Sequence, residues 1–365
     1  MFHPSTNVPR GTFYGASVEH YTGQAWNILL KIVMSIAVIQ SVVAIFQFIL
    51  QYSIGLFWLK ESLISPEILG VAKVIIGGEK FIRSYGLFPH PNILGGFFLF
   101  SIIITILYQR MFHPRSKEIV PSQYRCSTWN ILRGTRGTIS CYGAGVEHFT
   151  GQAWNNSIIL IQILALLLTF SKSAIAGLFL GLAYLYYKNV PRGTFLLRIG
   201  KYLKKIILIA SITVLLLLLT KFDSRTFLFR SLDERGLYLK CSTWNISDNP
   251  IMGVGAGQFV LNMQNYCGQV LEFWQFQPVH NVFLLIWSEL GLVGLLLFIY
   301  FLYKILWSKI VPRGTISIGA YFKAIFVGFL FIMLFDHYLW DIQQGQIMLW
   351  IVLGLIVATD NTIDK

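Results

Sequence analysis

The sequence predicts an all-α, polytopic transmembrane helical bundle of about eight spans, with a larger external loop region between the fifth and sixth. Three observations lead there. Of 365 residues, 55% are hydrophobic and only 12% are charged, about half the roughly 25% charged share of an ordinary soluble domain. The apolar residues are gathered into long runs that one soluble core cannot absorb. The 29 Lys and Arg against 16 Asp and Glu, a net charge of +13, sit between those runs, where basic residues report membrane orientation rather than nucleic-acid binding.

The runs lie near 28–50, 92–109, 157–170, 173–187, 205–220, 282–303, 319–335 and 345–358. Helix is the state expected for each, because a backbone in hydrocarbon must satisfy its own hydrogen bonds and no alternating barrel pattern of about ten residues appears. The third and fourth are separated only by Ser171, Lys172 and Ser173, which predicts a tight helical hairpin. The first 27 residues lack the pattern of a cleaved signal peptide, so the first span is expected to act as its own insertion signal.

Basic short loops mark the cytoplasmic side. Lys188, Arg192, Arg198, Lys201, Lys204 and Lys205 follow the fourth span with no acid among them. Alternation then places 110–156 and the Lys304, Lys309 and Arg313 loop on the same side. It leaves 51–91, the tip at Lys172, 221–281 and Asp336–Gln344 outside. The resulting division is a cytoplasmic segment 1–27, a membrane unit 28–358 containing an external catalytic loop 221–281, and a cytoplasmic tail 359–365.

Four strings recur: YGASVEHYTGQAWN at 14 returns as YGAGVEHFTGQAWN at 142, VPRGT occurs at 8, 190 and 311, CSTWNI at 126 and 241, and FHP at 2 and 112. They have no fixed period and share no core, unlike solenoid repeats, and VPRGT resembles a protease-cleavage linker, so an engineered or chimeric origin is one reading of them. Glu19, His20, Glu147 and His148 are set aside as carrying no chemistry. The four Cys have no metal-ligand spacing, and neither a metal nor a cofactor is expected. Cys241 and Cys267 share the outer side and are free to pair there, although spacing alone does not supply their geometry.

The strongest chemical signal begins at His280. His280 and Asn281 head an apolar helix, followed after nine residues by Gly291 and then by Gly294. Buried polar groups there need partners; the structural alternative is a helix entry capped by Asn281. Histidine titrates nearest neutrality, which suits proton abstraction from a hydroxyl. Upstream on the same side stand Arg225, Arg230, Arg235 and Lys240, then DNPIMGVGAGQF from Asp248 to Phe259, where Gly253, Gly255 and Gly257 permit tight turns and close ligand approach. Arginine holds diphosphates through paired hydrogen bonds. At the entrance of the second span, Arg83 precedes YGLFPHPNILGG, with His90 between two prolines and Asn92 placed to cap a helix. Lys172 is a further cation on that face. Asp336-His337-Tyr338-Leu339-Trp340-Asp341 reads first as an aromatic interfacial link, with Asp336 as an alternative partner for a cation or for His280.

Taken in order, RSYGLFPHPN (83–92), LTFSKSA (168–174), RGLYL (235–239), DNPIMGVGAGQF (248–259), HN-x9-G-x2-G from His280 and DHYLWDIQQGQ (336–346) resemble the O-antigen ligase and Wzy-type polymerase family of polytopic glycosyltransferases. The resemblance implies a metal-independent transfer of a glycan from an undecaprenyl diphosphate carrier to a glycan, lipid or protein acceptor, at the outer face of the bacterial cytoplasmic membrane. It assigns His280 as general base and Arg235 as a diphosphate contact, with Arg83, Lys172, His90, Asn281, Gly255 and Arg230 as further substrate-binding candidates. Lys172 stands where the family commonly has Arg, and this chain has one span ahead of its RSYG string where most members have more. The competing classes are a transporter or flippase of the same lipid-linked glycan, which would also want external cations and broken helices, and an inactive or chimeric scaffold.

Overall fold

The computed structural model describes residues 12–112, 144–189, 224–267, 271–307 and 318–361. A chain that cannot leave backbone groups unpaired in hydrocarbon folds into helices, and ten α-helices appear among the described residues. Seven are long: α1 (Thr12–Leu50), α2 (Pro91–Phe112), α3 (Ala144–Leu168), α4 (Lys172–Asn189), α5 (Ser224–Asp248), α7 (Val282–Leu306) and α10 (Gln343–Asn361). Between them stand α6 (Phe259–Tyr266), α8 (Ile318–Met333) and the single turn α9 (Tyr338–Asp341).

Three helices, Gln24–Leu50, Pro91–Phe112 and Val282–Leu306, are long and apolar enough to cross a membrane, and Asn156–Leu168, Ile318–Met333 and Gln343–Thr359 are shorter apolar helices. The expected span at 205–220 lies outside the described residues. The first copy of the recurring string is helical within α1, and the second is helical from Ala144, within α3.

The centre of the bundle is α2, buried along nearly its whole length and packed against α1, α3, α4, α8 and α10. The helix α1 is peripheral instead, and Ile28, Ile32, Ile36, Ile39, Phe46 and Ile49 form an exposed stripe at helical spacing, as a lipid-facing surface requires. The closest helix pair, α4 and α8, meets through small residues: a Cβ on Gly177 would lie 2.8 Å from the Gly328 carbonyl, and one on Gly181 would lie 2.6 Å from the Ala324 carbonyl. Close backbone approach of this kind drives helix association where no hydrophobic effect is available. Polar side chains inside the bundle pair among themselves, as Ser101 donates to Gln162 Oε1 at 2.7 Å and Gln162 donates to Thr105 Oγ1 at 3.1 Å.

The tight turn expected between these two helices is present, since α3 ends at Leu168, Phe170 adopts φ 50° and α4 starts at Lys172, but the helices do not pair as a hairpin: α3 packs on α1 and α2, and α4 on α2 and α8. One element departs from the all-helical expectation. Lys73–Ile76 (β1) and Glu79–Ile82 (β2) form an antiparallel hairpin with Ile76 opposite Glu79. Gly77 and Gly78 at its turn take φ 62° and 89°, the conformation that a two-residue hairpin needs and that glycine supplies without steric cost.

The segment 221–281 carries its own small core. Tyr238 and Cys241 of α5, Phe259 and Met263 of α6, and Cys267, Leu271, Val279 and Leu285 are buried together, and a disulfide joins Cys241 to Cys267. This unit forms a roof over the first half of α7.

Candidate active site

The roof is attached to α7 by backbone hydrogen bonds at a break in that helix. Gly291 has φ 68°, which interrupts the helical ladder and leaves groups of the flanking turn without intrahelical partners. The glycine-rich turn replaces those partners. The carbonyl of Ser288 accepts from Val254 N at 3.0 Å, that of Glu289 accepts from Gly255 N at 2.8 Å, and Leu292 N donates to the Pro250 carbonyl at 2.9 Å. Trp287 Nε1 donates to the same Pro250 oxygen at 3.1 Å. The approach is too close for any side chain at Gly291, where a Cβ would stand 1.9 Å from the Ile251 oxygen, or at Gly253, where it would stand 2.4 Å from the Glu289 carbonyl. The spacing between His280–Asn281 and Gly291 thus measures a short rigid half-helix, splinted at its far end.

At the near end, Asn281 caps α7 by accepting from Leu284 N at 2.9 Å and ties it to α8 by donating to the Leu334 carbonyl at 3.1 Å. His280, one residue earlier, lies between two rings. Tyr238 of α5 stacks on it at 5.4 Å with an 18° interplanar angle, and His337 meets it edge-on at 5.0 Å and 89°. The Nδ1 atom of His280 is buried without a protein hydrogen bond.

A third segment closes the site. Arg83 donates from Nε to the Thr169 carbonyl at 2.7 Å at the α3–α4 tip, and from Nη2 to Asn92 Oδ1. Asn92 Nδ2 donates to Asp336 Oδ2 at 2.6 Å, and His337 N donates to Asp336 Oδ1 at 2.9 Å. His337 Nδ1 is 2.9 Å from both carboxylate oxygens of Asp341. The 83–92 segment is held from behind by glutamines of α1: Gln47 Oε1 accepts from Tyr85 N and Gly86 N, Gln47 Nε2 donates to the Gly86 carbonyl, and Gln40 Oε1 accepts from Leu87 N. Seven residues apart, these two side chains share one helix face.

The electrostatics sort the histidines. Burial lowers the pKa of His280 to about 4; Asp336 opposes this, while His337 and Arg235 act in the same direction. His280 is therefore neutral at pH 7 and able to accept a proton. Burial likewise depresses His90, to about 3, with Arg83 adding to the effect, and His90 Nδ1 accepts from Asn92 N at 3.2 Å. Burial disfavours protonation of His337 too, but the hydrogen bond to Asp341 and the charges of Asp336 and Asp341 outweigh it, and its pKa is raised. Burial resists ionisation of Asp336, yet His337 and the other histidines hold its carboxyl below the usual range. Desolvation and Arg235 lower Arg83 to about 10, which leaves it cationic at neutral pH. Arg235 repels Arg83, Lys172 and His280 alike, so it shares their neighbourhood.

The structure accordingly brings His280, Arg83, His90, Arg235 and Lys172 to one region. Asn281 lies there as well, with both ends of its amide engaged by the protein. Gly255 is at the helix break, where its N–H is committed to Glu289. The side chain of Arg230 lies outside the described residues, although its backbone is part of α5. His90, His280 and His337 lie near one another, but no group of three His, Cys, Asp or Glu among the described residues is arranged to hold a metal ion.

Sequence reasoning gave Asp336 a secondary place and passed over His337, Asp341, Gln40 and Gln47. The DHYLWD string contained a signal for the first three, since two acids flanking a histidine at one helical turn can bracket its charge. Nothing in an apolar run marks which glutamine will face a backbone segment 39 residues away.

In comparisons with known proteins, the family model described as O-Antigen ligase matches residues 157–299, a segment that includes Lys172, Arg235, the glycine-rich turn, His280 and the break at Gly291. Neither curated proteins nor solved structures give a match. Arg83, His90 and the Asp336–Asp341 cluster lie beyond the matched residues, yet the fold places them around its histidine. The matched segment, less than half of the chain, makes this protein similar to O-antigen ligases over the stretch that carries most of the site.

Proposed function

We propose that the chain transfers a glycan from an undecaprenyl diphosphate carrier to an acceptor hydroxyl or amide at the outer face of the cytoplasmic membrane. The observation that carries this reading is a neutral, part-buried His280 whose Nδ1 is shielded from solvent, set among cations drawn from separate segments: Arg83, Lys172 and Arg235. A base alone would suit many reactions. A base beside a cluster of guanidinium and ammonium groups suits one in which a diphosphate leaves.

For a hydroxyl acceptor, the oxygen attacks the anomeric carbon and forms the new C–O bond while its proton passes to His280. The bond from that carbon to the diphosphate oxygen breaks, and its electron pair departs with the carrier diphosphate toward Arg83, Arg235 and Lys172. Attack opposite the leaving group inverts the anomeric centre. Asp336 favours the imidazolium that forms on His280, so it supports the base once the proton has arrived. The cations carry the charge-stabilising role without a metal in this mechanism. The disulfide Cys241–Cys267 supports an oxidising, extracytoplasmic location for the roof.

The test is reconstitution of the full chain in proteoliposomes with an undecaprenyl-diphosphate-linked glycan and candidate acceptors. A covalent glycan–acceptor product with inverted configuration is expected. Translocated carrier without product would instead establish the transporter class, and neither outcome would leave a scaffold.

A further inference from the structure

Lipid exposure along α7 changes at its break. From Val282 to Leu290 no residue is exposed, because α5, α6 and α9 surround the helix. Beyond Gly291 the pattern reverses, and Leu292, Val293, Leu296, Leu297 and Tyr300 are all exposed. The turn bonded to the break ends in two large apolar side chains, Ile251 and Met252, which are 62% and 77% exposed. Their backbone is fixed against Gly291 by the hydrogen bonds described above, so the tip is rigid and continues the exposed apolar face of α7.

A second tip follows α1 on the same side of the bundle. The 310 turn Phe57–Leu59 exposes all three side chains, Trp58 to 98%. This loop is also built firmly. The Glu61 carboxylate accepts from Ile54 N, Gly55 N and Leu56 N at 2.6–2.9 Å and from Gln47 Nε2 at 2.9 Å. The exposed stripe of α1 runs through Phe46 and Ile49 toward this turn, with Tyr52 and Ile54 exposed between. Gln47 joins the loop to the segment that bears Arg83 and His90.

We propose that the Phe57–Leu59 and Ile251–Met252 tips are seated in the outer-leaflet lipid, forming an apolar rim that holds the His280 cluster at headgroup depth. Two rigid tips that prolong the lipid-facing surfaces of two different helices specify bilayer lipid as the occupant, and Trp favours the membrane interface. A site at that depth meets the diphosphate of a membrane-anchored carrier without drawing its chain out of the bilayer. The inference depends on membrane embedding and not on the transfer chemistry.

Depth is measured on the full chain in nanodiscs of phosphatidylethanolamine and phosphatidylglycerol. In a Cys126→Ser, Cys141→Ser background that keeps the Cys241–Cys267 disulfide, nitroxide labels are placed through Trp58→Cys and Met252→Cys, with Leu297→Cys as a lipid-facing reference. Power saturation then compares collisions with oxygen and with nickel-EDDA. Oxygen is expected to dominate at both tips, at shallower depth than at the reference. Nickel dominating at either tip would overturn the proposal by placing it in water, and low access to both reagents would overturn it by showing a protein partner. Phe57→Cys and Ile251→Cys read the same two turns if a first-choice variant fails to fold. Transfer activity is measured separately, so failure here leaves the proposed reaction standing.

Discussion

The two halves of α7 are made of similarly apolar residues and serve different ends. The half before Gly291 is enclosed by protein, carries Asn281 as its cap and follows directly on His280; the half after it presents leucines, tyrosines and valine outward. Composition does not separate them. A single left-handed glycine does, together with the turn that re-pairs the backbone groups it frees. A helix that serves only as an anchor needs a continuous ladder, whereas a helix that must also aim a side chain can be broken and splinted, so that the aiming half is fixed by the roof rather than by the bilayer.

The severest way to break that contrast is Gly291→Val. A β-branched residue at positive φ costs roughly 1–3 kcal/mol in backbone strain alone, and its Cβ would collide with the Ile251 carbonyl. Loss of the roof's docking, read as a fall in thermal stability and near-complete loss of transfer, is expected; an unchanged melting temperature would contradict the splint. Next is Arg235→Lys, which keeps the charge but loses the bidentate fork. A rise in donor KM of about tenfold, near the lower end of the roughly 1.5–3 kcal/mol of a hydrogen bond to a charged group, is expected with acceptor KM unchanged, and equal effects on both substrates would count against a diphosphate contact.

A finer probe is pH. The active base is neutral His280, so transfer falls as pH drops through its pKa, which burial, His337 and Arg235 hold near 4. His337→Gln removes a neighbouring positive charge, raises the pKa of His280 and moves the acid limb of kcat/KM toward neutrality. Arg235, His90 and Asp336 still act on the ring, and a limb that stayed in place would show that His337 does not. The smallest effect belongs to the anchoring half. Leu297→Ala, exposed to lipid, should change transfer less than twofold.

The architecture was legible in the sequence where physics leaves few options. Apolar runs demanded helices, Ser171–Lys172 marked a tight turn although the helices on either side of it diverge, and the order of motifs around His280 pointed to the family now matched over 157–299. The β-hairpin at 73–82 lay in a loop whose Ile-Ile-Gly-Gly-Glu signal was available but overshadowed by the membrane pattern. The glycine-rich turn was read as a place for a ligand to approach closely; the close approach is real, and in the structure it is made by the backbone of α7. The polar supports of the site were the least visible part. Gln47 looks like a tolerated polar residue in a span until the fold places it beneath Gly86, and the value of His337 depends on Asp336 and Asp341 meeting it in space.

The central claim is that His280 takes the acceptor's proton while the cations hold the carrier diphosphate. It is tested most directly by His280→Ala in proteoliposomes, with product formation and binding of the lipid-linked carrier measured on the same preparation. Removal of a positioned base should lower transfer by about 10²–10⁴-fold while carrier binding stays at the wild-type level. Transfer at the wild-type rate, or loss of carrier binding in parallel with activity, would contradict the assignment.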